Sequence, residues 1–406
     1  MWEQIRSNRI RSTVLVVVMG AFLIAIGWLL GYAIAGNGIA GLVIAIVVFG
    51  FMNLIAYSQG DSILLSVAGA RKIKREDHPR LWNVVEEMKI ASGLQNMPDI
   101  YIIDDPALNA FATGRDINHA SVAITSGLLQ KLNRDELQGV IAHEIGHVKN
   151  RDVVLMAWCS VLLGTIVILS FYGSRFMMFG GMGGGGRRSS RDSGGGGVAV
   201  LIMVLALLLM ILAPIFAQLI YFAVSRKREY LADASSALYT RNPEGLASAL
   251  EKLANSGTPV KNANQATAPM YIVNPFKAKN LNDLTSTHPP IQERIRILRA
   301  MAGNASYTAY NQAYQNIKGK GGAGGIINPQ TASLVGSVPI RPAAADNSPV
   351  EPMSERIERT REVSDMMLKM DNYRMIDCQC GARLKVPPAL QGQIVRCPRC
   401  GTLHQT

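Results

Sequence analysis

Charge is scarce in this 406-residue chain: 17% of the residues are Asp, Glu, Lys or Arg, against 49% hydrophobic. Aromatic side chains are few, at 6%, and there are only five cysteines and six histidines. So little charge and so much apolar content is unusual for a soluble protein and points to membrane spans. Four stretches contain no Asp, Glu, Lys or Arg at all: Thr13–Ala35, Ile39–Tyr57, Val153–Tyr172 and Val198–Val224. A membrane-crossing helix needs about 20 apolar residues, so each run is long enough to span. The same lack of ionisable groups argues against a transporter or pump, which keeps such groups in the bilayer. Asn53 and Gln218 are the polar exceptions, and they read as helix–helix hydrogen bonds.

The first run follows a basic start (Arg6, Arg9, Arg11) and ends in Ala33-Ile34-Ala35, which imitates a signal peptide. It is too long for a usual signal core, and a second run follows at once, so it reads as a retained anchor. The basic N-terminus and Arg71-Lys72-Ile73-Lys74-Arg75 put both on the cytosolic side. The Gly-rich loop with Arg175, Arg187, Arg188 and Arg191 dissents from that assignment. The net charge of +12 reads as cytosolic loops facing anionic lipid. No RNA- or DNA-binding motif accompanies it, so no nucleic-acid partner is expected.

Between the second and third runs, 78–94 has helical periodicity, with Leu81, Val84, Val85, Met88 and Ala91 near one face. Short strand-like runs follow at Ile100–Ile103, Leu108–Thr113 and Ser121–Thr125, separated by turn residues. Asn133 and Glu136 then form a capping-box signature for a helix running through His147.

That helix carries His143-Glu144-Ile145-Gly146-His147, a His-Glu-x-x-His pattern. Positions four apart share a helical face, so both imidazoles can meet one tetrahedral zinc. Glu144 then lies beside the open coordination position, where a carboxylate can act as general base. A hydrolytic site needs a third protein ligand, and Glu229 is the candidate. Asp233, one turn on, can accept an N–H from a ligating histidine and fix its tautomer. Two crossings separate His147 from Glu229, and an even number returns the chain to the same side.

These motifs resemble the HtpX-like membrane metalloproteases, bacterial relatives of the CAAX prenyl proteases in the gluzincin group. The resemblance spans about Met1 to Met301 and includes Asn109-Ala110-Phe111-Ala112 and Thr287-His288-Pro289-Pro290. It implies catalytic zinc on His143, His147 and Glu229, Glu144 as base, and Asp233 orienting His143. It further implies an exposed sheet edge at Asn109, Ala110 and Phe111 that receives the substrate as an added strand. His288 stabilises the oxyanion or contacts a helix start; Arg294 serves similarly or anchors its helix. The implied setting is the inner (plasma) membrane, multi-pass, with the site facing the cytosol. Substrates would be proteins or peptides, membrane proteins above all, in quality control or in processing. No stretch reads as an inhibitory pro-segment.

Roughly 100 residues extend beyond that resemblance. The stretch 303–375 reads as a linker whose end is either a short helix, with Ile357, Val363, Met366, Met367 and Met370 able to form a docking face, or a loosely structured segment. Cys378, Cys380, Cys397 and Cys400 then read as a four-thiolate structural zinc ribbon with strands at Arg383–Val386 and Gln393–Arg396. A protein partner for the ribbon is an expectation. Cutting the chain after about Gly303 is expected to leave peptide hydrolysis intact.

The expected fold is therefore α+β, mainly α. A transmembrane hairpin (1–60) precedes a cytosolic gluzincin-type metallopeptidase domain (61–302) with a small β-sheet, interrupted by a second hairpin (153–224). The linker (303–375) and the ribbon (376–406) follow. Two alternatives stand beside a broad protease: a peptidase of narrow specificity, and a non-catalytic scaffold using the ribbon as its interaction module.

Overall fold

In the computed structural model of the protein, the described residues are 2–35, 37–153, 226–263, 268–275, 288–301, 303–319, 336–341 and 352–406, with isolated positions between them. Two long antiparallel helices open the chain, α1 (Trp2–Ala35) and α2 (Gly38–Val67). Asn37 caps α2, its side chain accepting from the Ile39 and Ala40 N–H groups. The pair packs backbone to backbone at glycines: a Cβ on Gly41 would sit 2.2 Å from the Gly27 carbonyl oxygen and 2.6 Å from the Gly31 Cα. Ile39, Val43, Ile44 and Val47 point outward and exposed. Both expected N-terminal runs are helical in full. Among the residues searched, no helix is long and apolar enough to cross a membrane. The third and fourth runs lie outside the described residues apart from isolated positions.

Helix α2 continues ten residues past Tyr57, and its end carries Leu64, Leu65 and Ala68 into a small core with Phe111, Ala123 and Tyr271. It leads directly into β1 (Ala70–Lys72), followed by α3 (Pro79–Ser92), β2 (Asp99–Ile103), β3 (Ala110–Asp116) and β4 (His119–Thr125). The sheet order is β1-β2-β4-β3, with β2 and β4 parallel and the other pairs antiparallel. That order leaves β3 at an edge, next to α5.

A short helix α4 (Ser126–Lys131) precedes α5 (Arg134–Lys149). The capping box forms as expected: Asn133 Oδ1 accepts from the Glu136 N–H, and Glu136 Oε2 from the Asn133 N–H, both at 2.9 Å. Glu136 is itself buried and receives Ser248 and Lys252 at 2.7 Å, which ties the start of α5 to a later helix, α7 (Pro243–Asn255). Between them runs α6 (226–240). Gly139 and Gly146 set how closely α5 meets these helices. A Cβ on Gly139 would be 2.6 Å from the Leu246 nitrogen, and one on Gly146 3.1 Å from the Ser235 Cβ.

The stretch read as a linker is not one throughout. After α8 (Ile291–Arg299) and the two-residue strand β5 (Asn304–Ala305), α9 (Tyr307–Lys318) buries Tyr307, Tyr310, Ala313 and Tyr314 in the main core. Past strand β6 (Val338–Pro339), α10 (Met353–Met370) docks with Val363 and Met366 in that same core. Its buried Arg359 donates to the Gln130 carbonyl oxygen on α4 at 2.9 Å. Ile357, expected on the docking face, is exposed. The C-terminal unit consists of two hairpins, β7 (Arg374–Asp377) with β8 (Arg383–Val386) and β9 (Ile394–Arg396) with β10 (Leu403–Gln405).

Met366→Ala removes a side chain from a closed core, and a loss of about 2–5 kcal/mol is expected. Met353→Ala, at the exposed start of the same helix, should stay within about 0.5 kcal/mol. Denaturant unfolding of both variants checks the docking of α10.

Candidate metal centre

Helix α5 delivers His143 and His147 one turn apart, and α6 brings Glu229 against them. His143 Nε2 lies 3.2 Å from His147 Nε2 and 3.6 Å from Glu229 Oε2, and His147 Nε2 lies 3.3 Å from Glu229 Oε1. A tetrahedral zinc with bonds of about 2.0–2.1 Å separates its ligand atoms by roughly 3.3–3.4 Å. The three side chains therefore fit the ion they were expected to hold. Two further observations agree. Both Glu144 carboxylate oxygens are buried without a hydrogen-bond partner among the described residues, and Glu229 Oε2 makes no hydrogen bond beyond its ion pair with Arg294. A buried carboxylate left that way is costly unless a cation or substrate meets it.

The titration behaviour follows from who touches whom. Burial pushes His147 down, but Asp152 and Glu229 outweigh it and hold the ring up at about 10. His143 is likewise depressed by burial and raised overall by Asp233 and Glu229. Burial lifts Glu229, but His288, the two ligand histidines and Arg294 bring it well below the ordinary range. Glu144 rises, because burial and the nearby Glu229 outweigh the pull of the two histidines. A carboxylate lifted by burial is better matched to accepting a proton near neutral pH.

Asp233 stands where it was expected, with Oδ1 2.9 Å from His143 Nδ1. Arg294 is not aimed at open space. It is fully buried, grips Asp233 with two nitrogens at 2.8 and 2.7 Å, reaches Glu229 Oε2 at 3.2 Å and donates to the Ile272 carbonyl oxygen at 3.1 Å. That geometry fits the anchoring role of the two that the sequence left open. His288 is buried within the field of Glu229, accepted by the Tyr271 backbone, and is pushed down by burial.

The β3 edge differs from expectation. Asn109, Ala110 and Phe111 are buried, because residues 271–273 lie along them. Phe111 and Tyr271 form an antiparallel bridge, and the Ile272 N–H donates to the Ala110 oxygen at 3.0 Å. The Asn109 amide donates to the Val273 oxygen at 2.9 Å. Pairing across 160 residues is a tertiary contact that no local pattern announces.

Two residues near the site went unnoticed in the sequence. Asp152 Oδ2 lies 3.2 Å from His147 Nδ1, and the Tyr310 hydroxyl donates to Asp233 at 3.4 Å. For Tyr310 the available signal was the Tyr307, Tyr310, Tyr314 stripe at helical spacing.

The four C-terminal cysteines converge as expected. Cys378 and Cys400 sulfurs are 3.4 Å apart, Cys380 and Cys397 sulfurs 3.7 Å, and all four lie within 4.8 Å of one another. Gly381 and Gly401 take positive φ, 80° each, to turn the chain around the thiols. The Thr402 hydroxyl and backbone hydrogen-bond to Cys400 and lower it to about 6, a thiolate ready for a metal.

Arg294→Ala strands Asp233 as a buried charge, and a loss of about 3–5 kcal/mol is expected. Arg299→Ala breaks only exposed pairs with Glu244 and Glu251 and should cost less than about 1 kcal/mol. Unfolding of the two variants separates a buried anchor from a surface ion pair.

Comparison with known proteins places the chain in a family. Residues 75–302 match peptidase family M48. The chain is 46% identical over 303 residues to a "Protease HtpX homolog" of Dictyoglomus turgidum, covering 74% of this chain and 94% of that protein. It is 41% identical over 301 residues to one from Lactobacillus helveticus, covering 74% and 100%. The crystal structure of S. mikatae Ste24p superposes with a TM-score of 0.41 at 20% identity, over 73% of this chain and 67% of that one. With a family match over more than half its length and relatives covered almost end to end, this chain belongs to peptidase family M48 and is a metalloprotease.

Proposed function

We propose that the protein is a membrane-embedded zinc endopeptidase whose site faces the cytosol and which cleaves membrane-associated protein substrates. The observation that carries this reading is the trio of ligand atoms at tetrahedral spacing, with a buried carboxylate at Glu144 beside it. A scaffold would have no use for that carboxylate.

His143, His147 and Glu229 would hold a zinc ion, which would supply Lewis acidity toward a carbonyl and toward water at neutral pH. Glu144 takes the proton of the attacking water and returns it to the leaving amine. His288, with one ring nitrogen committed to the Tyr271 backbone, would serve the developing oxyanion through its Nε2 in the protonated form. Arg294 holds Asp233, and Asp233 holds His143, so the His143 ring would be kept in the orientation a metal ligand needs.

Membrane placement rests on the four uncharged runs and on topology: His147 precedes the third run and Glu229 follows the fourth, yet they meet. An extended substrate pairs with β3 at Asn109, Ala110 and Phe111 once residues 271–273 yield that edge. The covered edge favours selective over indiscriminate cleavage, so processing of particular substrates stands beside general quality control. The four cysteines hold a second, structural zinc, and the ribbon so formed engages a protein partner.

Glu144→Gln keeps the ligand set and removes the base. Cleavage of an unfolded reporter protein should fall by about 10²–10⁴-fold, with the zinc content per chain unchanged. Full activity in that variant would remove Glu144 from the chemistry.

A further inference from the structure

The two ligand histidines have parallel surroundings. His143 Nδ1 meets Asp233, which Arg294 grips. His147 Nδ1 meets Asp152 Oδ2 at 3.2 Å, and Asp152 Oδ1 lies 3.5 Å from Arg228 Nη1. Asp152 and Arg228 are both buried. The first arrangement belongs to the resemblance set out above; the second falls outside every motif.

Three features single out Asp152. His147 presents Nε2 to the other two ligand atoms, so Nδ1 must carry its proton, and a carboxylate on Nδ1 selects that tautomer and fixes the ring plane. The chain takes an unfavourable conformation to put the carboxylate there. Helix α5 stops at Asn150, and Arg151 adopts φ 61°, a left-handed backbone that a side-chain-bearing residue rarely takes, which turns Asp152 back toward His147. Finally, Asp152 immediately precedes the third apolar run, while Arg228 follows the fourth and adjoins Glu229.

We propose that Asp152 is the positioning residue for His147, and that with Arg228 it closes the base of the 153–225 insert onto the metal ligands. The inference rests on the reading of His143, His147 and Glu229 as a zinc site. It implies that the two ends of the insert and the ligand geometry are coupled through one carboxylate.

The test uses the full chain in detergent, loaded with zinc and titrated with a chromophoric chelator; zinc held by the cysteines is the internal control. Asp152→Ala should weaken the histidine-site zinc about 10–100-fold, leaving the cysteine-bound zinc unmoved. Asp152→Asn keeps an oxygen for the Nδ1–H and should recover much of that loss. Arg228→Gln, which leaves the Asp152–His147 contact in place, should weaken zinc less than Asp152→Ala. With cobalt in place of zinc, the visible absorption of the histidine site should change in Asp152→Ala and stay close to wild type in Asp152→Asn. If Asp152→Ala does not fold, the Asn and Gln variants carry the comparison. Unchanged affinity in Asp152→Ala, or losses in Arg228→Gln equal to it with no recovery in Asp152→Asn, would overturn the positioning role while leaving the zinc site intact. Wild type that holds no zinc sensitive to Glu229→Gln would overturn both the site and this inference.

Discussion

Burying charge is the constraint that organises this molecule. Four carboxylates (Glu144, Asp152, Glu229 and Asp233) and two guanidiniums (Arg228 and Arg294) are withdrawn from water in one place. With both ligand imidazoles neutral, an excess of two negative charges is left, which one divalent cation cancels; without the ion, protons on the two raised histidines balance the same charge. Uncompensated charge at such depth is prohibitive, so ligand binding and folding are linked here. The arginines divide the work: Arg294 joins α8 to Asp233 and Glu229, and Arg228 joins the base of the insert to Asp152. Neither is free to serve as a mobile surface cation.

The rest of the fold delivers and braces this cluster. The capping box fixes where α5 begins, and Glu136 at once pins α7. Glycines at 139 and 146 let α7 and α6 approach α5 closely enough for Glu229 to reach the histidines. The C-terminal part is connected to the same region. Arg359 on α10 holds the end of α4, whose N-cap is Thr125, and the Thr125 hydroxyl hydrogen-bonds with the Asn109 backbone on the β3 side.

Much of this was legible in the chain. The pattern His143-Glu144-x-x-His147 and the box at Asn133 and Glu136 depend on short spacings, which survive into structure because a helix converts spacing into geometry. Glu229 and Asp233 were weaker alone and became legible through topology. What was missed depends on long-range contacts. Residues 271–273 pair with β3 across the whole metal-binding region, and nothing in Tyr271-Ile272-Val273 marks them as covering that edge. Residues 307–318 were hidden by Gly- and Asn-rich surroundings, although their tyrosines repeat at helical spacing. Since Tyr310 touches Asp233, cutting the chain after Gly303 would remove a contact from the back of the site. Asp152 had only its position beside an apolar run to announce it.

The central claim is that one metal ion sits among His143, His147 and Glu229. Diffraction data from crystals of the full chain, collected on both sides of the zinc absorption edge, test it most directly. The account predicts an anomalous peak about 2.0–2.2 Å from His143 Nε2, His147 Nε2 and a Glu229 carboxylate oxygen, and a second among the four cysteine sulfurs. A single peak at the cysteines, with the histidine site filled only by protons and water, would contradict it.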